Sequence, residues 1–335
     1  MRRVRTAVDA GRAWTALALR SRVAGSDPDA RAARVWGESG PRWFTADDPI
    51  WRVHSDASMF VGGIRSLLLQ SLHPLAMAGV DQHSAYQSDP WTRVQNTAGF
   101  IAMTTFGTIE NAEKAIASVR AIHDRVHGIA ADGRPYDAND PHLLLWVHVA
   151  EIETFLTCHQ AYGRAPLAPA DADTYVAQTA VVARKLGVVD PPMTVAGLMA
   201  TIEAFRPELS LTPGAAAASR FLRHETPLPL TAKPAYAALA RAAVVTLPPW
   251  ARMLLELPVH PRRDAATIPV VGRPAVATIR WLMDHPSVAK DRVLGHGGAT
   301  AAPHVECRSR SSRFGAFGGE VGVVAAWGQV PDHAE

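Results

Sequence analysis

Cysteine is almost missing from this chain. Its 335 residues include only Cys158 and Cys307, with no CxxC pair. A cysteine-based zinc or redox centre is therefore excluded, and the usage suits a reducing compartment. Cys158 sits in an apolar helical pattern and reads as a plain buried thiol. A dominant charge of one sign is also lacking. Lys and Arg total 34 against 31 Asp and Glu, a net charge of +3. The arginines are scattered except for Arg2, Arg3 and Arg5. That excludes a nucleic-acid partner and leaves at most a weak membrane-surface preference at the N-terminus. No run approaches the roughly 18 uninterrupted apolar residues that span a bilayer. The best stretch, Ser58 to Val80, is broken by Arg65, Gln70, His73 and Pro74. The basic start has no apolar segment followed by a small-residue cleavage site, so a cytoplasmic location is expected. There is no GxSxG elbow, no Walker loop and no GxGxxG after a strand. Hydrolase, kinase and Rossmann readings have nothing to rest on.

What is present is helical patterning nearly throughout. Helices are predicted over about 49–56, 57–72, 90–105, 109–127, 141–162, 171–186, 194–205, 214–223, 233–246 and 248–256. The fold class is all-α, a single helical domain of about ten helices around a buried pocket. Start and stop signals support several of these. Asp89-Pro90 and Asp140-Pro141 each place a capping carboxylate before a proline at the first helical position. Thr108 caps the helix from Ile109, whose first turn is acidic. Gly128 and Gly163 read as C-terminal stops. Residues 1–47 form a leader with one helix around Thr6 to Val23, residues 48–260 the main domain, and residues 261–335 a largely irregular tail apart from a short helix over Ala275 to Met283. Thr267 to Val271 has strand-like composition but no convincing partner.

Polar groups interrupt the apolar pattern in one region, Gly62 to Thr97, and again at His123. A helix ending in His73-Pro74 is followed by a loop carrying His83, then by a helix presenting Arg93 and Thr97. These two stand at i and i+4, roughly 6 Å apart at Cβ, with Asn96 beside them. They are either a surface Arg and a back-bonded Thr, or an anion-pairing guanidinium with a hydroxyl.

Fourteen histidines must be separated by position. On the helix from Ile109, Ala112, Ala115, Ile116, Val119, Ile122 and Val126 share a face at about 100° per residue. His123 falls inside it and His127 at its rim. On the following helix Leu145, Ile152, Phe155 and Leu156 make a stripe. His148 lies within that stripe, His159 continues it, and His142 is exposed or capping on the first turn. One inward histidine is usually a satisfied core residue. His123, His148 and His159 together point to a pocket or a ligand role, since neutral imidazole is the commonest metal ligand. A di-iron bundle needs Glu-x-x-His on two helices, whereas the chain has the reverse, His148-x-x-Glu151, once. His123-x-x-x-His127 has metal-binding spacing without the Glu of a zinc protease motif. A non-haem metalloenzyme remains an open alternative.

The motifs GGIRSLLLQSLHPLAMAGV (62–80), HSAYQSDPWTRVQNT (83–97), FGT (106–108), HDRVHG (123–128) and GRPYDANDPHLLLWVHVAEIETFL (133–156) occur in order. With them, the run from Asp48 to Pro258 resembles the MpaB and latex-clearing-protein oxygenase family. The resemblance implies an all-α fold around one haem b, with His123 as the axial iron ligand. It places Arg93 and Thr97 in the haem pocket, and His148, inward on the face analysis, is taken as a further cofactor-binding residue. In latex-clearing proteins a Lys precedes the pocket Thr. Here Asn96 takes its place, and a neutral amide is a poor iron ligand. The distal side is then open, water-filled or served by another residue such as His148. Arg93, Asn96 and Thr97 are the expected catalytic set, acting with O₂ on an unsaturated apolar substrate, a lipid or terpenoid. A non-catalytic haem or lipid binder is the rival reading.

Overall fold

The chain has 25 prolines, a number that would break helices if it fell inside them. Instead nine helices begin on one, where the missing N–H is not needed and φ is already helical. The computed structural model describes residues 2–288. In chain order the helices are α1 (Arg2–Ala24), α2 (Pro28–Ala32), α3 (Pro49–His54), α4 (Met59–Gln70), α5 (Pro74–His83), α6 (Pro90–Phe106), α7 (Ile109–His123), α8 (Pro141–Tyr162), α9 (Pro169–Leu186), α10 (Val195–Phe205), α11 (Pro213–Arg220), α12 (Lys233–Thr246), α13 (Pro249–Leu254), α14 (Pro261–Thr267) and α15 (Arg273–Met283). Short π-helical turns join Ala33–Gly37, Phe221–Glu225 and Ile268–Gly272, and a 3₁₀ turn spans Arg206–Glu208. The predicted caps hold. Asp89 accepts from Thr92 N–H, Thr108 from Asn111 N–H and Asp140 from His142 N–H, and α8 ends at Gly163. No helix among the described residues is long and apolar enough to cross a membrane.

The main core forms around α8, which is buried on nearly every side. Its apolar stripe therefore does not select one inward face, as amphipathic reasoning assumes. Helix α4 lies along it. A Cβ on Gly62 would stand 2.9 Å from the Phe155 ring, so glycine sets this approach. The fully buried Trp146 donates its indole N–H to the Gln70 carbonyl at 3.1 Å. Arg65 of α4 donates to both carboxylate oxygens of Glu153, at 2.5 and 2.9 Å, and to the Thr246 carbonyl at the end of α12. Burial alone would lower the Arg65 pKa, but Glu153 holds it above its ordinary value.

Three sequence expectations are corrected. The chain after His73-Pro74 is helix α5, not a loop, because His73 and Pro74 act as cap and first residue of a new helix. Helix α7 stops at His123 rather than at 127. His127 lies on strand β1 (His127–Ile129), which pairs antiparallel with β2 (Pro135–Asp137) in the register His127↔Asp137. Gly128 is a strand residue, not a stop: a Cβ there would lie 2.7 Å from the Tyr136 hydroxyl. Finally, the helix read at Ala275–Met283 is present as α15, but residues 261–272 before it are helical too. Val276 and Ile279 join the main core, and Arg280 pairs with Asp56 at 2.9 Å. The strand-like Thr267 to Val271 lies in the helix end and the following π turn. The Gly- and Ser-rich stretch after His296, expected to be irregular, lies outside the described residues.

Candidate functional site

The HDRVHG segment makes the turn from α7 into the hairpin, and His123 is its first residue. The side chain is 5% exposed, as the helical face analysis expects. It projects into a small apolar cavity. Helix α5 contributes Leu75, Ala76 and Gly79 to the walls, α8 contributes Leu143, Leu144 and Val147, and the hairpin contributes Tyr136. Burial keeps this imidazole neutral by pushing its pKa down to about 4, against the opposing pull of Asp124 and Asp137. A neutral imidazole in an apolar wall is the form that ligates a metal.

Arg93, Asn96 and Thr97 occupy the first two turns of α6, and all three are half-buried. The helix packs against α1, α3 and α7, and Arg31 of α2 donates to its Gln95 carbonyl at 2.6 Å. Yet from Trp91 to Met103 no residue is fully buried, although the stretch includes Val94, Phe100, Ile101 and Met103. A helix packed on several sides normally buries an apolar stripe completely. This one leaves its first three turns only half-covered. Arg93 stands at the start of that stretch and donates to Ser84 Oγ at 2.9 Å. Burial lowers its pKa to about 10, with Tyr86 opposing, so the guanidinium stays charged. Among the described residues no carboxylate lies within ion-pair distance of it. An enclosed cation without an anion is an electrostatic deficit that a bound carboxylate would fill.

On α8 the positions 144, 147, 148 and 151 form one stripe. Leu144 and Val147 line the His123 cavity, and His148 and Glu151 continue the stripe. His148 Nε2 is buried and has no hydrogen-bond partner. Burial, then Arg184, lowers its pKa to about 4. In the sequence Glu151 appears only in the reversed His148-x-x-Glu151 spacing, which does not match a di-iron motif. Burial raises its pKa from 4.5 to about 7. Both side chains keep some accessible surface. Beyond Glu151, the buried Tyr175 hydroxyl lies 3.3 Å from His54 Nε2, whose Nδ1 lies 2.7 Å from Thr105 Oγ1. His159 is buried as expected, but its electrostatic neighbours are Asp56 and Arg52 rather than the α6 residues.

The Glu151 pKa has a definite sign for stability. The folded state holds the proton more tightly than the unfolded chain, so the penalty is absent below pH 4.5 and complete above about 7. Glu151→Gln is expected to raise stability by about 1–3 kcal/mol at pH 8 and to leave it unchanged at pH 4. Urea unfolding at the two pH values checks this. A variant destabilised at pH 8 would show that the carboxylate is ionised and compensated.

The structure thus places Arg93, Asn96 and Thr97 half-buried on the first two turns of α6. His123 lies in the wall formed with α5 and α8, and His148 on the α8 stripe that continues it. Helix α5 links the two regions, lining the His123 cavity and ending at Ser84, the Arg93 partner. No curated protein and no solved structure matches the chain. Residues 51–281, which run from α3 into α15 and carry all of these side chains, match the family described as ER-bound oxygenase mpaB/B'/Rubber oxygenase, catalytic domain. Residues 51–281 are therefore an oxygenase catalytic domain, and the chain belongs to the mpaB and rubber oxygenase family.

Proposed function

We propose that the protein is a haem b-dependent oxygenase acting with O₂ on an unsaturated apolar substrate, a lipid or terpenoid. The observation that carries this reading is the buried, neutral His123 imidazole in an apolar wall, with the Arg93 guanidinium on α6 lacking a carboxylate partner among the described residues. An apolar group bearing carboxylates fits that donor set. His123 would hold the iron through a neutral imidazole nitrogen. Arg93 supplies a charged fork for a propionate. The haem, when bound, supplies the O₂ and redox chemistry.

The chain's own residues set the conditions. Val94, Phe100 and Ile101 of α6 offer apolar surface along the flank where an alkene would lie. Thr97 offers a hydroxyl one turn from Arg93, and Asn96 an amide that donates and accepts without charge. The unpartnered His148 Nε2 can accept or donate one hydrogen bond. Glu151, titrating near neutrality, can hold or release a proton inside the enclosure at physiological pH. Asn96 in the position of a ligating Lys speaks against a rubber substrate and for a smaller one.

The purified protein is expected to show a Soret band and to form oxygenated product from unsaturated lipids under O₂. A Soret band without product would convert the reading to a haem carrier. Absence of the band after growth with added haem precursor would defeat it.

A further inference from the structure

Two helix starts and one turn meet away from the α6 flank. His73 caps α5, His142 is the second residue of α8, and Glu208 closes the 3₁₀ turn after α10. His142 Nε2 lies 2.9 Å from each Glu208 carboxylate oxygen. His73 Nε2 lies 3.5 Å from Glu208 Oε2. One donor atom from each of the three residues lies within 4.8 Å of the others. His73 is 1% exposed, and its Nε2 faces the carboxylate without a hydrogen bond. A buried imidazole nitrogen whose nearest acceptor, Glu208, stands 3.5 Å away outside hydrogen-bond geometry leaves a position that an ion would complete.

We propose that His73, His142 and Glu208 bind a divalent transition-metal ion, zinc(II) in the first instance, separate from the site at His123. Two imidazole nitrogens with one carboxylate oxygen suit zinc or iron(II), whereas calcium and magnesium require oxygen donors. A tetrahedral zinc at about 2.0–2.1 Å from each ligand holds its donors roughly 3.3 Å apart. The separations of 2.9 and 3.5 Å bracket that value. Both histidines bind through Nε2 and carry their proton on Nδ1. For His142 that proton meets solvent, since its side chain is 53% exposed. For His73 it displaces only the 3.5 Å contact from Ala76 N–H, longer than an ordinary N–H hydrogen bond. Phe205 packs on His142 with ring centroids 4.5 Å apart, and Trp146 lies 6.1 Å from His73. They form an apolar backing that leaves the outer side to water.

The ion ties the first turns of α5 and α8 to the end of α10. Those same turns carry Leu75, Ala76, Leu143 and Leu144 into the cavity at His123, so occupancy stiffens that wall. The test uses the untagged full chain, stripped with a chelator and titrated with zinc chloride by calorimetry. His142→Ala and Glu208→Gln alter exposed positions and should fold. One saturable zinc per chain is expected, weakened at least about 10-fold in each variant, with a zinc-dependent rise in Tm confined to the wild type. Magnesium chloride should give no heat, and the haem spectrum of both variants should match the wild type. No saturable binding, or variants that bind zinc as tightly as the wild type, would overturn the site. Loss of haem with zinc binding intact would strike the proposed function alone.

Discussion

His123→Ala is expected to abolish stoichiometric haem binding while leaving the helical content unchanged. The substitution removes the nitrogen proposed to hold the iron, at the end of α7, where the structure offers a neutral, buried imidazole facing an apolar wall. Removing a mere outer-shell partner of a metal ligand costs about 10- to 100-fold in affinity. Loss of the ligand itself should cost roughly 100-fold or more, about 3 kcal/mol. The Soret band of the purified variant should fall to background, and its far-UV circular dichroism should match the wild type. Exogenous imidazole, small enough for the space left by the side chain, should restore part of the band. A variant that keeps full haem content would remove His123 from the iron. His148→Ala, tested in parallel, should retain haem, because its Nε2 belongs to the other end of the α8 stripe.

Glu153→Ala should destabilise the whole domain by about 3–5 kcal/mol, the usual cost of stranding one partner of a buried ion pair. Arg65 is 1% exposed and Glu153 6%, and the pair joins α4, α8 and α12 at the centre of the main core. Thr154 and Thr157 complete the network, Thr154 accepting from Arg65 at 2.5 Å and Thr157 donating to Glu153 at 2.8 Å. With the carboxylate gone, the guanidinium retains only neutral acceptors and carries its desolvation cost uncompensated. The urea midpoint should drop with the slope unchanged. The double change Arg65→Met with Glu153→Leu should cost less than Glu153→Ala alone, because it removes both charges and keeps the volume. If the single variant loses under about 1 kcal/mol, the pair is a passive feature of the core.

Helix starts are legible in the sequence wherever a capping group stands before a proline. Asp89-Pro90 and Asp140-Pro141 are the clearest cases, because cap and proline act within a single turn. The same grammar misleads at His73-Pro74, since His is not a usual cap and the pair reads as a break. The hairpin at His127 is hidden for another reason. Val126 continues the α7 apolar period, and only pairing with Pro135–Asp137 draws the next residues into a strand. From Pro261 onward the change in composition suggests irregular chain around one short helix, but Val276 and Ile279 of that helix find an apolar surface to cover, and tertiary contact outweighs weak local preference.

By itself the sequence determined the helical class, most helix boundaries and the inward direction of His123, because caps and a 3.6-residue period are local forces. Only the tertiary structure decided the rest. The Arg93 guanidinium is enclosed and burial raises the Glu151 pKa to about 7, because desolvation is set by atoms from other helices. His142 and Glu208, 66 residues apart, share a site with His73 for the same reason. Ligand geometry is a distance between elements, and no spacing along the chain encodes it.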